Sequence, residues 1–257
     1  MNYPDIQKII AISERAAHAI MAIYREPNIE VSHKLDFSVL TRADIESHHI
    51  ISNALKKEWP EIPVISEYSG VYHVYGARKN LDSFFLVDPL DGTKEFVNRN
   101  DEFTVNIAYV YHNKPILGVI NVPALNRIYY ALKNGGAFLL SDNKTIQLPC
   151  VSKQNTHTMT VVVSRSHACR QTEDFLNGLK NEKTEVVTLA AGSALKFGLV
   201  AEGRADIYPR FSPTMEWDTA AGQILVEEAG KKMITVAGEE FLYNKKSLKN
   251  GGFVVKG

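Results

Sequence analysis

Asp88 and Asp91 stand three residues apart where an apolar run ends, in Phe84-Phe85-Leu86-Val87-Asp88-Pro89-Leu90-Asp91-Gly92-Thr93-Lys94-Glu95-Phe96. Two carboxylates so placed repel one another, and a cation between them would relieve the repulsion. Ligands that are all oxygen select a hard ion, Mg²⁺ before Zn²⁺. Gly92 lets backbone approach a ligand closely, and free amides where a helix opens suit a phosphate. A bare D-x-x-D also serves turns and caps; the preceding strand and the Gly92-Thr93 pair favour chemistry here. Two more acidic positions follow related logic. Trp217-Asp218-Thr219-Ala220-Ala221-Gly222 leads into an apolar helix through Ile224, Leu225 and Val226, where Asp218 alone would read as an N-cap. Pro63-Val64-Ile65-Ser66-Glu67 is another apolar strand ending in a carboxylate, a weak signal by itself.

Ile6, Ile9, Ile10, Ala16, Ala17, Ile20 and Ile23 recur at helical spacing, so the first helix is expected over about residues 4–25, ended by Pro27. A second, over about 43–58, buries Ile45, Ile50, Ile51, Ala54 and Leu55, with Thr41 as its cap and Asp44 in its first turn. After Pro60 short apolar runs at about 62–66, 83–87, 103–111, 116–121, 127–132 and 136–140 predict strands, the later ones an antiparallel meander. From Thr160 strands and helices alternate, at about 160–164, 168–180, 184–188, 193–202, 205–208, 218–229 and 232–236, which is the α/β signature. A soft boundary falls in the polar stretch 141–158. It divides an N-terminal α+β lobe (1–145), carrying most of the acidic positions, from a C-terminal α/β lobe (146–257) carrying Asp218.

The 257 residues are 45% hydrophobic, enough for a large core in one domain or two packed lobes. Lys+Arg and Asp+Glu are equal at 29 each. That balance supplies no field for wrapping nucleic acid and no polybasic membrane patch, so a charged ligand must be held locally. The N-terminus lacks the basic start and unbroken apolar stretch of a secretory signal, and no run approaches a bilayer's thickness. Cys150 and Cys169 have no paired spacing and read as free thiols in a reducing cytosol. No P-loop occurs, since Gly230-Lys231-Lys232 lacks the glycine partner and the hydroxyl.

Together, the D-P-L-D-G-T segment, the strand ending at Glu67 and Trp217-Asp218 resemble the inositol-monophosphatase-like superfamily of metal-dependent, lithium-sensitive phosphatases, and the resemblance spans essentially the whole chain. The continuation Lys94-Glu95-Phe96 resembles the 3'(2'),5'-bisphosphate nucleotidase branch; inositol phosphatases usually continue Thr-Asn-Phe. Glu102-Phe103-Thr104-Val105-Asn106-Ile107-Ala108, Ser164-Arg165-Ser166-His167, Gly192-Ser193-Ala194-Leu195-Lys196-Phe197 and Tyr208-Pro209-Arg210-Phe211 resemble its bacterial CysQ-type members. The resemblance implies a layered α-β-α-β-α sandwich with two or three Mg²⁺ ions between its halves. One ion would be held by Glu67, Asp88 and the main-chain carbonyl of Leu90. A second would be held by Asp88, Asp91 and Asp218. Thr93 and Asp44, the latter in Thr41-Arg42-Ala43-Asp44, would orient and deprotonate the attacking water.

For the substrate, the resemblance implies a nucleotide pocket lined by Ser164, His167, Gly192, Ser193 and Lys196, with Arg210 on a remote phosphate. The metal-facing end would be lined by Glu67, Leu90, Asp91, Gly92, Thr93, Lys94 and Asp218. The expected reaction is hydrolysis of adenosine 3',5'-bisphosphate (PAP) to AMP and phosphate, with its sulfated relative PAPS as a second substrate, in sulfur assimilation. The nearest rivals are an inositol monophosphatase or a fructose-1,6-bisphosphatase of the same fold; a non-catalytic nucleotide or metal sensor is more remote. A cytoplasmic monomer or weak homo-oligomer is expected, with peripheral contact to the inner membrane left open. Two departures stand out. Tyr68 follows Glu67 where many relatives carry a second acid, and Asp36-Phe37-Ser38-Val39 lacks the proline of the usual Asp-x-Ser-Pro loop.

Overall fold

The computed structural model describes residues 3–33, 39–151, 157–166, 169–180 and 185–257. Asp36, Phe37, Ser38 and His167 therefore lie outside the described residues. Two sheets organise the chain. The larger has seven strands, in the order Val64–Ser66, Ser83–Asp91, Thr104–Tyr111, Lys114–Val122, Arg127–Leu132, Gly136–Ser141 and Lys144–Gln147. Its first pair is parallel and the rest form the expected antiparallel meander, with Lys144–Gln147 an added edge strand. The smaller has five, ordered Glu185–Ala191, Thr158–Ser164, Ile207–Arg210, Phe253–Lys256 and Lys232–Thr235.

Strand periodicity sorts the core. Phe84 and Leu86 face one apolar cluster, and Phe85 and Val87 face the other. The second cluster lies between the large sheet and the helices Ile6–Tyr24 and Arg42–Glu58. The first lies between the two sheets and encloses the helices Leu195–Glu202 and Glu216–Glu228, which are apolar nearly all round because both faces are covered. Arg170–Leu179 borders the other face of the small sheet, near Val163, Thr188 and Pro209. The order is helix, sheet, helix, sheet, helix, as the superfamily resemblance implies.

Close approach of Glu216–Glu228 to the large sheet is set by Gly118. A Cβ there would stand 2.6 Å from Ile224 Cγ2 and 2.8 Å from the Ala221 backbone. Gly118→Ala is expected to cost about 1–3 kcal/mol, the usual penalty of overpacking, measured as a lower urea midpoint at unchanged m-value.

Candidate active site

The strand Ser83–Asp91 runs further than the apolar residues predict, through both aspartates. Asp88 pairs with Asn106 and Asp91 with Thr104, so the strand bulges between them. Pro89, with no N–H to give a ladder, occupies the bulge, and the Ser47 hydroxyl donates to its carbonyl at 2.7 Å. Gly92 then turns the chain at φ +87°, a left-handed conformation that suits glycine, into a helix of only five residues, Thr93–Val97. The phosphate-facing amides expected here thus belong to a tight turn more than to a helix dipole.

Below this turn lies a cavity of about 290 Å³. Its lining includes Glu67, Asp88, Leu90, Asp91, Gly92, Thr93, Lys94 and Asp218 together with Ser164, Ser193, Lys196, Tyr208 and Arg210. Residues expected at the two ends of a substrate therefore share one space. Gly192 is not among the lining residues; its N–H donates to Glu102 Oε2 at 2.8 Å.

Each aspartate on the wall is tied by one oxygen to a backbone amide. Leu90 N donates to Asp88 Oδ1 at 3.1 Å, Ala194 N to Asp91 Oδ2 at 2.7 Å, and Met215 N to Asp218 Oδ2 at 2.8 Å. Asp91 Oδ2 also accepts from the Ser193 hydroxyl at 2.6 Å. Asp218 is hydrogen-bonded to Asp88, and its carboxyl is pushed up to about 7, first by burial and next by the charges of Asp91 and, more weakly, Glu67. Mutual repulsion of this kind is what a divalent cation relieves. The donors are carboxylates and the Leu90 carbonyl, all hard oxygens, and they fit Mg²⁺. Among the described residues, no three acidic, histidine or cysteine side chains converge as a finished ligand set. The fit rests on donor chemistry and on the shared wall.

Asp44 is buried behind Thr93. Its Oδ2 accepts from Thr41 N at 2.8 Å and from the Thr41 hydroxyl at 2.7 Å. Thr41 is the N-cap residue, as expected, with its hydroxyl turned to the carboxylate of Asp44. The other oxygen, Oδ1, accepts from the Thr93 hydroxyl at 3.1 Å and the Tyr68 hydroxyl at 3.1 Å. Sequence reasoning registered Tyr68 only as a missing acid. Burial, then the charges of Asp44, Glu67 and Asp88, raise the Tyr68 phenol so that it stays protonated and donates.

The cationic side is equally organised. Lys196 is almost wholly buried, donates to Ser193 O at 2.5 Å and lies 5.4 Å from the Tyr208 ring centre. Burial lowers its pKa to about 8. Arg210 is steadied by a hydrogen bond from Nε to Ser212 O at 3.2 Å. Glu95, Tyr208 and Trp217 also line the cavity. In the sequence Glu95 marks the nucleotidase branch, and Tyr208 and Trp217 belong to stretches that carry the resemblance, but none of the three is read there as a site residue. Among the described residues, no helix is long and apolar enough to cross a membrane.

Comparison with known proteins agrees with this geometry. The model of the inositol monophosphatase family matches residues 5–252. The 3'(2'),5'-bisphosphate nucleotidase CysQ of Escherichia coli strain K12 is 39% identical over 254 residues, covering 97% of this chain and 98% of that protein. The crystal structure of CysQ from Bacteroides thetaiotaomicron, 38% identical, superposes with a TM-score of 0.87 over 98% of this chain and 96% of its own. An IMPase from Thermotoga maritima, 26% identical, gives a TM-score of 0.76 over 96% and 90%. With a cavity walled by carboxylates, a matching sandwich and a family match over nearly its whole length, this chain belongs to the inositol monophosphatase family.

Proposed function

We propose that this protein is a Mg²⁺-dependent 3'(2'),5'-bisphosphate nucleotidase that hydrolyses PAP to AMP and phosphate. PAPS would be a second substrate and sulfur assimilation the setting. One observation carries the reading: a single cavity joins the acidic wall of Glu67, Asp88, Asp91 and Asp218 to Lys196 and Arg210. A substrate bearing one phosphate has no use for cations in addition to the metal site. A bisphosphate does, as a point charge and a bidentate fork both recognise phosphate. The E. coli relative, named a 3'(2'),5'-bisphosphate nucleotidase, supports the same choice.

Glu67, Asp88, the Leu90 carbonyl, Asp91 and Asp218 would hold the ions. When bound, Mg²⁺ acidifies a water and neutralises charge on the leaving oxygen. The chain does the remaining work. Thr93 accepts a proton from the attacking water as its own hydroxyl proton passes to Asp44 Oδ1, along the hydrogen bond already in place. The amides of Gly92 and Thr93 face the transferring phosphoryl group, and Lys94 adds positive charge at the rim. No side chain becomes phosphorylated. The assay is phosphate release from PAP, inositol monophosphate and fructose 1,6-bisphosphate side by side, with Mg²⁺, with EDTA, then with added Li⁺. Fastest release from PAP, abolished by EDTA and inhibited by Li⁺, is expected. Faster turnover of inositol monophosphate would overturn the substrate assignment, and undiminished release in EDTA would overturn the metal.

A further inference from the structure

Ser164 ends the strand Thr158–Ser164 and pairs in parallel register with Ala191, which ends Glu185–Ala191. These two chain ends feed Ser164 and Ser193 into the cavity. Two acidic side chains reach them from beside the aspartate-bearing turn. Glu102 grips Arg165 with both oxygens, Nη2 donating to Oε1 at 2.6 Å and Nε to Oε2 at 2.7 Å, while Oε2 also accepts from Gly192 N at 2.8 Å. Arg165 Nη2 donates in turn to Ala190 O at 3.0 Å. Glu95, in the short helix Thr93–Val97, accepts from the Ser166 hydroxyl at 2.5 Å.

Gly192 lies between the two acids. A Cβ at that position would come within 2.6 Å of Glu95 Cγ and 3.1 Å of Glu102 Cβ. The stem of Glu95 therefore passes over a backbone that only glycine leaves open. Although it lines the cavity, Glu95 is 4% exposed, and its Oε1 is committed to Ser166. A buried, charged acceptor bonded to a surface hydroxyl fixes that hydroxyl's segment more firmly than a neutral acceptor would.

We infer that Glu95 is a positioning residue that sets substrate specificity, by holding Ser166 and so seating the arm Ser164-Arg165-Ser166 against the part of the substrate far from the reacting phosphoryl group. This rests on the nucleotidase reading above. A nucleotide spans the cavity and meets the seated arm; a small ester ends at the phosphoryl group and does not. The consequence is a separation of KM from kcat. Fixing the arm lowers the ordering that binding must impose, so its loss raises KM for the nucleotide and leaves the chemical step alone.

The test uses Ser166→Ala, Glu95→Gln and the double variant, with PAP and with whichever of glycerol 2-phosphate or p-nitrophenyl phosphate the wild type turns over. Ser166 is exposed, so its variant folds even if the buried one does not. Expected for each variant is a KM for PAP raised about tenfold, the scale of one charge-assisted hydrogen bond, with kcat within about twofold. For the small ester, kcat/KM should move less than about twofold, and the double variant should be no worse than the more impaired single one. Equal losses on both substrates, no change on PAP, or additive losses would overturn the inference. A wild type that does not prefer PAP to the small ester would overturn the nucleotidase reading and this inference with it. A wild type that does prefer PAP, beside variants that do not move, sinks the inference alone.

Discussion

Asp88→Asn is expected to lose at least about a hundredfold in kcat while melting at the wild-type temperature. The side chain is buried in the acidic wall, tied to Leu90 N by Oδ1 and hydrogen-bonded to Asp218. Asparagine keeps the shape and one acceptor. It removes one of several mutually repelling charges, and that gain offsets the weaker hydrogen bonds. Stability therefore has little reason to change. Function does, because a neutral amide is a poor ligand for a hard dication. The check pairs steady-state phosphate release from PAP with a thermal melt. Activity within a few fold of wild type would remove Asp88 from the site.

Asp44→Asn should lose about a hundredfold or more in kcat, the usual scale of a lost proton acceptor. The two oxygens of Asp44 have separate duties. Oδ2 receives the Thr41 amide and hydroxyl, and Oδ1 receives the Thr93 and Tyr68 hydroxyls. An asparagine that keeps its oxygen on Thr41 turns an NH₂ toward Thr93 and replaces the acceptor by a donor. Keeping the oxygen on Thr93 instead presents a donor to the Thr41 amide, at a cost of about 1 kcal/mol in helix capping. Either outcome damages catalysis or stability, and kcat with a urea melt tells them apart. Tyr68→Phe removes one donor and leaves the Thr41 amide and hydroxyl and the Thr93 hydroxyl on this carboxylate, so a loss nearer tenfold is expected. A Tyr68→Phe defect as deep as that of Asp44→Asn would contradict the chain of proton transfer through Thr93.

Much of the scaffold is written in periodicity. The alternation of Phe84, Phe85, Leu86 and Val87 between two cores reads directly, as does the helical spacing of Ile6 to Ile23. Elements with weak patterns do not. Val31–His33 pairs with Val39–Thr41, and Phe253–Lys256 sits inside the small sheet, yet three or four residues are too few to establish a period. The bulge through Pro89 was hidden for another reason, since proline ordinarily argues against a continuing strand.

Within the site, acidic residues at strand and helix ends announced themselves, because charge beside apolar runs needs an explanation. Gly192 shows the opposite case. Its need for a missing side chain is set by Glu95 and Glu102, which lie far away in sequence. Tyr68 was legible only as a departure from a pattern, and its hydrogen bond to Asp44 required the fold to bring the strand end over the second helix. Contacts between distant residues leave no local trace.

Calorimetric titration of Mg²⁺ into the wild type, Asp88→Asn and Asp218→Asn, each with inorganic phosphate present, tests the account most directly. The wild type should give a saturable heat, and each variant should bind at least about tenfold more weakly. A wild type that takes up no Mg²⁺, or variants that bind it equally well, would leave the acidic wall without its proposed purpose.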